Sequence, residues 1–305
     1  MSDSVSDNTP VQRAGYVAIV GRPNVGKSTL LNRLVGQKLA ITSSKPQTTR
    51  HRLLGIRTED GVQAVFVDTP GIHPGRGRAL NRYLNRTATG ALEGVDLVLM
   101  VVQGTHWTAE DARVLELVKA SGRPAVAVIN KIDLVPDKAE LLAQMERLGT
   151  AGCFAEIVPV SARKGSNVES LAQVVGRRLP PGGPLFPEDQ VTDRSLSFMA
   201  AELVREKLMR HLRDELPYVC TVAVESFVEQ PEQTEITAVI WVERPSHKGI
   251  VIGKGGAMLK QVGSEARVDL EKLLETHVFL QLVVREKSGW TDDDVALRTL
   301  GYQAE

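Results

Sequence analysis

An apolar run of strand length, Tyr16 to Val20, leads directly into Gly21-Arg-Pro-Asn-Val-Gly26-Lys27-Ser28, and a helix-period stretch follows from Ser28 to Val35. Few folds accept that order. The pattern G-x-x-x-x-G-K-[ST] between a strand and a helix aims consecutive backbone N–H groups at one point, in front of a helix N-terminus that favours negative charge. Such a loop wraps phosphates. Lys27 is placed to reach the terminal phosphates and Ser28 to hold magnesium, with Gly21, Arg22, Pro23, Asn24, Val25, Gly26 and Thr29 forming the rest of the cradle. Taken alone, the same pattern is also that of a glycine-rich turn.

The surrounding periodicity points to one architecture. Further strand-length runs at Ala64–Val67, Leu97–Val102, Ala125–Ile129 and Ile157–Val160 alternate with helical stretches at Ala109–Ala120, Lys138–Leu148 and Val168–Arg177. This is the signature of an α/β domain, a mostly parallel sheet with helices on both faces. In such sheets ligands gather at the C-terminal strand ends.

Three of those ends carry further signals. Asp68-Thr69-Pro70-Gly71 follows the second run, so that the Asp68 carboxylate reaches magnesium through water and the Gly71 N–H faces a γ-phosphate. Asn130-Lys131-Ile-Asp133 follows the fourth. The Asp133 carboxylate accepts the ring N–H and amino group of guanine together, an edge that adenine lacks. Ser161-Ala162 offers a backbone N–H to the guanine carbonyl oxygen. Each signal is weak alone; in this order they describe a guanine-nucleotide switch.

Between the first helix and Asp68 lies the polar stretch Ile41 to Arg50, read as a loop whose Thr49, with Thr48 as the alternative, closes over magnesium while the γ-phosphate is present. Lys27, Thr49 and Gly71 are the catalytic candidates; Ser28, Thr49 and Asp68 are the metal candidates. Ile72 to Arg86 is expected to be a second mobile segment. Ile72 adjoins the nucleotide where many switch GTPases have a glutamine, and its side chain cannot orient water. Slow intrinsic hydrolysis is therefore expected, assisted by potassium near Asn24 or by bound RNA.

Leu179 to Asp193 places four prolines and two glycines in fifteen positions and reads as a linker. The expected layout is a polar tail at 1–14, the nucleotide domain at 15–180, the linker at 181–193, a smaller α+β domain at 194–290 and a tail at 291–305. In that second domain Gly253-Lys254-Gly255-Gly256 precedes an amphipathic helix. A G-x-x-G loop there clamps the backbone of about four nucleotides. Lys248, Lys254 and Lys260 supply charge, and Ile250 with Ile252 form an aliphatic floor for bases. Lys207, Arg210 and Arg213 lie on the polar side of the helix after the linker.

Composition sets limits. The 37 basic and 37 acidic side chains cancel, but residues 1–185 carry 23 basic against 16 acidic and residues 186–305 carry 14 against 21. Neutrality thus hides a basic nucleotide domain and an acidic second domain. Cys153 and Cys220, the two cysteines, form no C-x-x-C, so neither a disulfide framework nor a zinc knuckle is indicated. No run approaches the roughly 18 apolar residues of a membrane span.

Across residues 15–287 the chain resembles the Era-like GTPases with a type II KH domain. The resemblance rests on Gly21–Ser28, Lys45-Pro-Gln-Thr-Thr-Arg50, Asp68–Ile72, Asn130–Asp133, the proline-rich linker and Val251-Ile-Gly-Lys-Gly-Gly256. It implies a P-loop GTPase domain joined to a KH domain, GTP and GDP as ligands with Mg2+, and potassium dependence tied to Asn24. It also implies binding of the single-stranded 3′ end of 16S ribosomal RNA during assembly of the 30S subunit. A monomeric cytoplasmic protein with a peripheral inner-membrane fraction is the corresponding expectation. A competing reading, a nucleotide-stabilised scaffold that recruits a protein, predicts no turnover even with RNA.

Overall fold

A computed structural model describes residues 10–71 and 78–302, which divide into two compact units. The first contains β1 (Arg13–Val20), α1 (Lys27–Val35), β2 (Leu53–Glu59), β3 (Val62–Asp68), β4 (Leu97–Gln103), α3 (Ala109–Ser121), β5 (Ala125–Asn130), α4 (Lys138–Thr150), β6 (Phe154–Pro159) and α5 (Val168–Arg178). Between β3 and β4 lies α2 (Ala79–Gly90).

The sheet order is β2-β3-β1-β4-β5-β6, with β2 alone antiparallel. Ile19 pairs with Asp68 on one side and Leu99 on the other, and Ile129 pairs with Val102. This register brings the C-terminal ends of β1, β3, β4 and β5 to one edge. Both faces of these strands are covered, which is why their sequences are continuous apolar runs. Val20, Val67, Met100 and Ile129 pack with Val114 and Val118 of α3 and Leu148 of α4. Each fully buried side chain of this kind contributes about 1.5–3 kcal/mol.

The proline-rich stretch is not a free tether. Gln63 Oε1 accepts the N–H groups of Leu185 and Phe186 at 2.6 and 2.9 Å, and Phe186 meets Tyr16 edge to face. The Ile56 N–H donates to Val191, and the Leu54 N–H to Asp193 Oδ1. Proline and glycine exclude regular structure here, yet the extended chain still satisfies the open edge of β2.

The second unit contains α6 (Leu196–His211), β7 (Cys220–Glu229), β8 (Gln233–Val242), α7 (Pro245–Ile252), α8 (Ala257–Leu274), β9 (His277–Glu286) and α9 (Asp294–Thr299). β7 and β8 are antiparallel, and β9 lies parallel to β8 after the crossover through α7 and α8. Val204 and Leu208 of α6, Val251 of α7, and Val262 and Ala266 of α8 pack onto Val222, Ala238, Ile240 and Val284.

Three expectations change. Residues 291–302 are not a tail: Trp290, Leu297 and Tyr302 are buried with Leu80 and Tyr83 of α2, Trp290 stacks on Tyr302, and Tyr302 hydrogen-bonds Thr221. Residues 79–90 form a helix where a mobile segment is expected, while Ile72 to Gly77 lie outside the described residues. Residues 41–48, expected to be a loop over the nucleotide, group with the second unit. Thr42, Lys45 and Thr48 find partners on α6 and at its end, and Gln47 donates to Asn81 of α2.

Candidate functional site

In the first unit the loop from Gly21 to Gly26 crosses from β1 to α1 under tight steric limits. A Cβ on Gly21 would lie 2.5 Å from the Val101 carbonyl oxygen, and one on Gly26, at φ +99°, would lie 2.3 Å from Asn130 Nδ2. Backbone passes where no side chain fits. Val25 is fully buried and anchors the loop, while Asn24, at φ +62°, is exposed.

Lys27 opens α1 and is buried, its Nζ donating to the carbonyls of Gly21 at 2.9 Å and Arg22 at 3.1 Å. Burial lowers its pKa to about 8; Asp68 acts in the opposite sense and Arg22 adds to the lowering. Those carbonyls hold the ammonium within the loop. Arg22 itself is held away, its Nε 3.0 Å from Asp111 Oδ2 in the capping box of α3.

Three oxygen groups from separate elements converge beside Lys27. Ser28 Oγ lies 2.7 Å from Thr49 Oγ1 and donates to Asp68 Oδ2 at 2.7 Å; Thr49 donates to the same carboxylate oxygen at 3.3 Å. Asp68 is wholly buried, which raises its pKa, while Lys27 and the two hydroxyls act to lower it. Its Oδ1 has no hydrogen-bond partner. Two hydroxyls and a carboxylate with an uncommitted buried oxygen suit a hard divalent cation. Thr48 points elsewhere, to Ser43 Oγ and the Lys45 carbonyl, so geometry favours Thr49.

The Asp68-Thr-Pro-Gly turn is fixed by Thr69 Oγ1, which donates to Ile19 at 3.1 Å. Pro70 is buried, and a Cβ on Gly71 would approach Pro23 to 2.8 Å, so the two phosphate-side loops nearly touch. Thr29 sits half-buried on α1. Ile72 lies outside the described residues.

At the far end, Asn130 joins three loops. Its Nδ2 donates to Val25 at 2.9 Å and its Oδ1 accepts the Ala162 N–H at 3.0 Å. Lys131 Nζ donates to the Asn24 carbonyl at 2.7 Å, and Asp133 Oδ1 accepts from Ser161 Oγ at 2.6 Å. Asn130 thus ties the three loops together, with the Asp133 carboxylate beside Ser161. Sequence reasoning missed Gln103 and Asp111, which hold Lys131 and Arg22. The one available signal was the place of Gln103 at the end of β4.

The second unit carries a groove. Gly253 ends α7, where a Cβ would lie 2.7 Å from Met258 Cβ, and Gly255 and Gly256 follow at φ +59° and +79°. Lys248, Lys254 and Lys260 are exposed around them. A cavity of about 600 Å3 opens along α8, lined by Gly256, Leu259, Lys260, Gly263, Ser264 and Arg267, with Leu280 and Leu282 of β9 as its floor. Gly263 gives the cavity room, since a Cβ there would lie 3.4 Å from Leu282 Cδ1.

The two isoleucines expected as a floor for bases lie elsewhere than this cavity. Ile250 and Ile252 belong to α7 and do not line the cavity; Ile250 is exposed and Ile252 packs against the core. Helical spacing puts Leu259, Gly263 and Arg267 on one side of α8, but which strand faces them emerges only from the crossover. Lys207 is withdrawn from solvent and paired with Asp269 and Glu206.

Residues 16–131 match the family described as 50S ribosome-binding GTPase, and residues 215–291 match the KH domain. GTPase Era of Pseudomonas fluorescens strain Pf0-1 is 54% identical over 97% of this chain and 98% of its own. The chain belongs to the Era family of GTPases. Era of Pseudomonas aeruginosa strain PAO1 is likewise 54% identical, over 99% of both chains. Two solved Era structures each align with 96% of this chain and 100% of their own at a TM-score of 0.92. One is a variant of Aquifex aeolicus Era bound to GDP·AlF4−, 39% identical. The other is Era in complex with MgGDPNP and nucleotides 1506–1542 of 16S ribosomal RNA, 38% identical.

Proposed function

We propose that this chain is a GTP-hydrolysing switch that binds the single-stranded 3′ end of 16S ribosomal RNA during assembly of the 30S subunit. The observation that carries the reading is the near-full-length likeness to an Era chain holding both ligands together. The two sites support it residue by residue.

Asp133, fixed by Ser161, receives the guanine edge, and the Ala162 N–H, aligned by Asn130, faces the guanine carbonyl. Backbone N–H groups of residues 21–28 and the Lys27 ammonium bind the phosphates, with the Gly71 N–H at the γ-phosphate. Ser28, Thr49 and Asp68 would hold Mg2+, which when bound neutralises charge developing on the transferred phosphoryl group. Water attacks in line, and GTP becomes GDP and phosphate.

Ile72 provides no hydrogen bond for that water, so turnover is slow until something else aligns it. Potassium near Asn24 and the bound RNA are the two candidates. In the groove, Leu280 and Leu282 accept base faces, and Lys254, Lys260 and Arg267 take phosphates.

The deciding experiment measures affinity for a 3′-end oligonucleotide and a scrambled control, with GTP analogue or GDP, and turnover in sodium or potassium. Expected are sequence-selective binding, a change between nucleotide states, and turnover raised by potassium and by RNA. Equal affinity for both oligonucleotides would reject the RNA assignment; equal turnover in all conditions would reject the water-alignment account. A monomer in the cytoplasm, with part of the population peripheral to the inner membrane, completes the proposal; ultracentrifugation and cell fractionation test it. No helix among the described residues is long and apolar enough to cross a membrane.

A further inference from the structure

Arg22 belongs to the phosphate loop, yet its side chain runs to the end of β4 and the start of α3. Its Nε donates to Asp111 Oδ2 at 3.0 Å, and its Nη2 lies 3.4 Å from Gln103 Oε1. Gln103 closes β4 and serves a second cation from the same oxygen, which Lys131 Nζ approaches at 3.3 Å. Lys131 also donates to the Asn24 carbonyl at 2.7 Å. All of these residues lie in the first unit. One carboxylate and one amide oxygen thus hold both the loop that surrounds Lys27 and the loop that leads to Asp133.

Capping alone does not explain Asp111. The third residue of α3 has only to accept the Thr108 N–H, which Oδ2 does at 2.9 Å, a task that does not require burial. Asp111 is instead 1% exposed, and its Oδ1 is buried with no hydrogen-bond partner. A carboxylate withdrawn from water in this way is tolerated only where a cation answers it. That cation is Arg22, whose own side chain is 14% exposed. The pairing has a direction: Thr108 Oγ1 fixes the carboxylate, the carboxylate fixes the guanidinium, and the Arg22 peptide carries one of the two carbonyls that receive Lys27 Nζ.

We propose that Asp111 and Gln103 are positioning residues for nucleotide binding: through Arg22 and Lys131 they set the phosphate loop in advance, so that the cradle around Lys27 is formed before nucleotide arrives. This rests on the reading of residues 21–28 as the phosphate cradle. Order supplied beforehand lowers the cost of binding. Once phosphate is bound its own contacts hold the loop, so the benefit falls on affinity and spares kcat. GTP and GDP both place phosphates in this loop, and they benefit alike.

The test uses the full chain, fluorescent GTP-analogue and GDP probes, and steady-state turnover. Asp111→Asn keeps an acceptor for the cap and loses the charge, so both nucleotides should bind about tenfold more weakly, as expected for a lost charge-assisted hydrogen bond. KM should rise in proportion while kcat holds within about twofold. Arg22→Ala should do the same, and the double variant should bind no more weakly than the worse single. Gln103→Leu should weaken both nucleotides by about threefold to tenfold, and Gln103→Glu, which keeps the acceptor, should recover most of that loss. Glu116→Gln removes a charge from an exposed position on the same helix and should bind as wild type. Folded Asp111→Asn with wild-type affinity overturns the proposal, as does a double variant whose losses multiply to about a hundredfold. Should Asp111→Asn fail to fold, Gln103→Leu decides by the same split of KM from kcat. Lys27→Ala separates the two readings. If it binds nucleotide as tightly as wild type, the cradle and this proposal fall together; if it loses binding while the Asp111 and Gln103 variants keep theirs, this proposal alone falls.

Discussion

Ser161 donates its hydroxyl to Asp133 Oδ1 across 2.6 Å, so the carboxylate proposed to select guanine is held in place before any base arrives. Asp133→Asn removes an acceptor for two guanine N–H groups and supplies a donor in its place. GTP affinity should fall at least about 100-fold, because the site's polar groups are then mispaired. Xanthosine triphosphate, whose ring has a carbonyl where guanine has the amino group, should gain affinity. Ser161→Ala loosens the carboxylate without removing it and should weaken GTP by about threefold to tenfold. Competition titrations with the two nucleoside triphosphates check both.

Lys27 gives nucleotide binding a pH dependence of definite sign. With its pKa at about 8 in the free protein, the ammonium that phosphate requires is lost as pH rises through that value. GTP affinity should therefore decline above pH 8, and binding there should take up a proton. Calorimetry in buffers of different ionisation enthalpy reads this directly. Stability of the free protein runs the other way. The unfolded chain keeps its lysine proton up to about 10.4, so from about pH 8 to that value it binds more protons than the native state, and this group's contribution to stability increases. A pH-independent affinity across 7 to 9.5 would mean that the ammonium is not the phosphate contact.

Gly255 stands at φ +59° with nothing within 4 Å of a prospective Cβ. Gly255→Asp should leave the second unit folded, since aspartate tolerates this backbone region better than most residues. It places a carboxylate where the RNA backbone is proposed to pass, so RNA affinity should fall more than about tenfold and its salt dependence should flatten. Fluorescence anisotropy over a salt series measures both, with circular dichroism and the thermal midpoint as fold checks.

Two packing changes separate the units by stability. A Cβ on Gly55 would lie 2.7 Å from Leu31 Cδ1 and 2.9 Å from Val35 Cγ2, inside a filled interior. Gly55→Ala should cost about 1–3 kcal/mol. Tyr302 lies 5.5 Å from Tyr83 and 5.9 Å from Trp290, ring to ring. Tyr302→Ala should cost about 3–5 kcal/mol, whereas Tyr302→Phe, losing the Thr221 partner, should cost about 1 kcal/mol. Denaturant unfolding of the full chain, followed by tryptophan fluorescence, distinguishes them.

The strands that carry the nucleotide loops were legible because each is apolar on both faces and ends in a recognisable motif. β2 was not. Leu-Leu-Gly-Ile-Arg-Thr-Glu contains a glycine and turns polar halfway, as suits an outer strand that packs mainly through its first four residues. The α2 stretch, rich in arginine and asparagine, reads as solvated because the residues that bury its first turn, Trp290 and Tyr302, lie some two hundred positions later. The same holds for Thr42 and Lys45: their polarity suggested a loop, and the groups that accept them, the buried Glu206 carboxylate and the Met209 and Leu212 carbonyls, are on α6 and at its end. Proline and glycine in residues 179–193 truly forbid regular structure, but composition is silent on whether an irregular strand docks. Local periodicity shows what a segment can become; partners distant in sequence determine where a polar segment goes.

The grip of α6 on residues 42–48 also has a consequence in time. During synthesis this segment emerges about 150 residues before Arg205, which at about 5–20 residues per second is roughly 10–30 s. Through that interval the polypeptide has no Arg205 or Glu206 to hold Thr48 and Thr42. The segment therefore takes its place only when translation has passed through the helix that follows the linker.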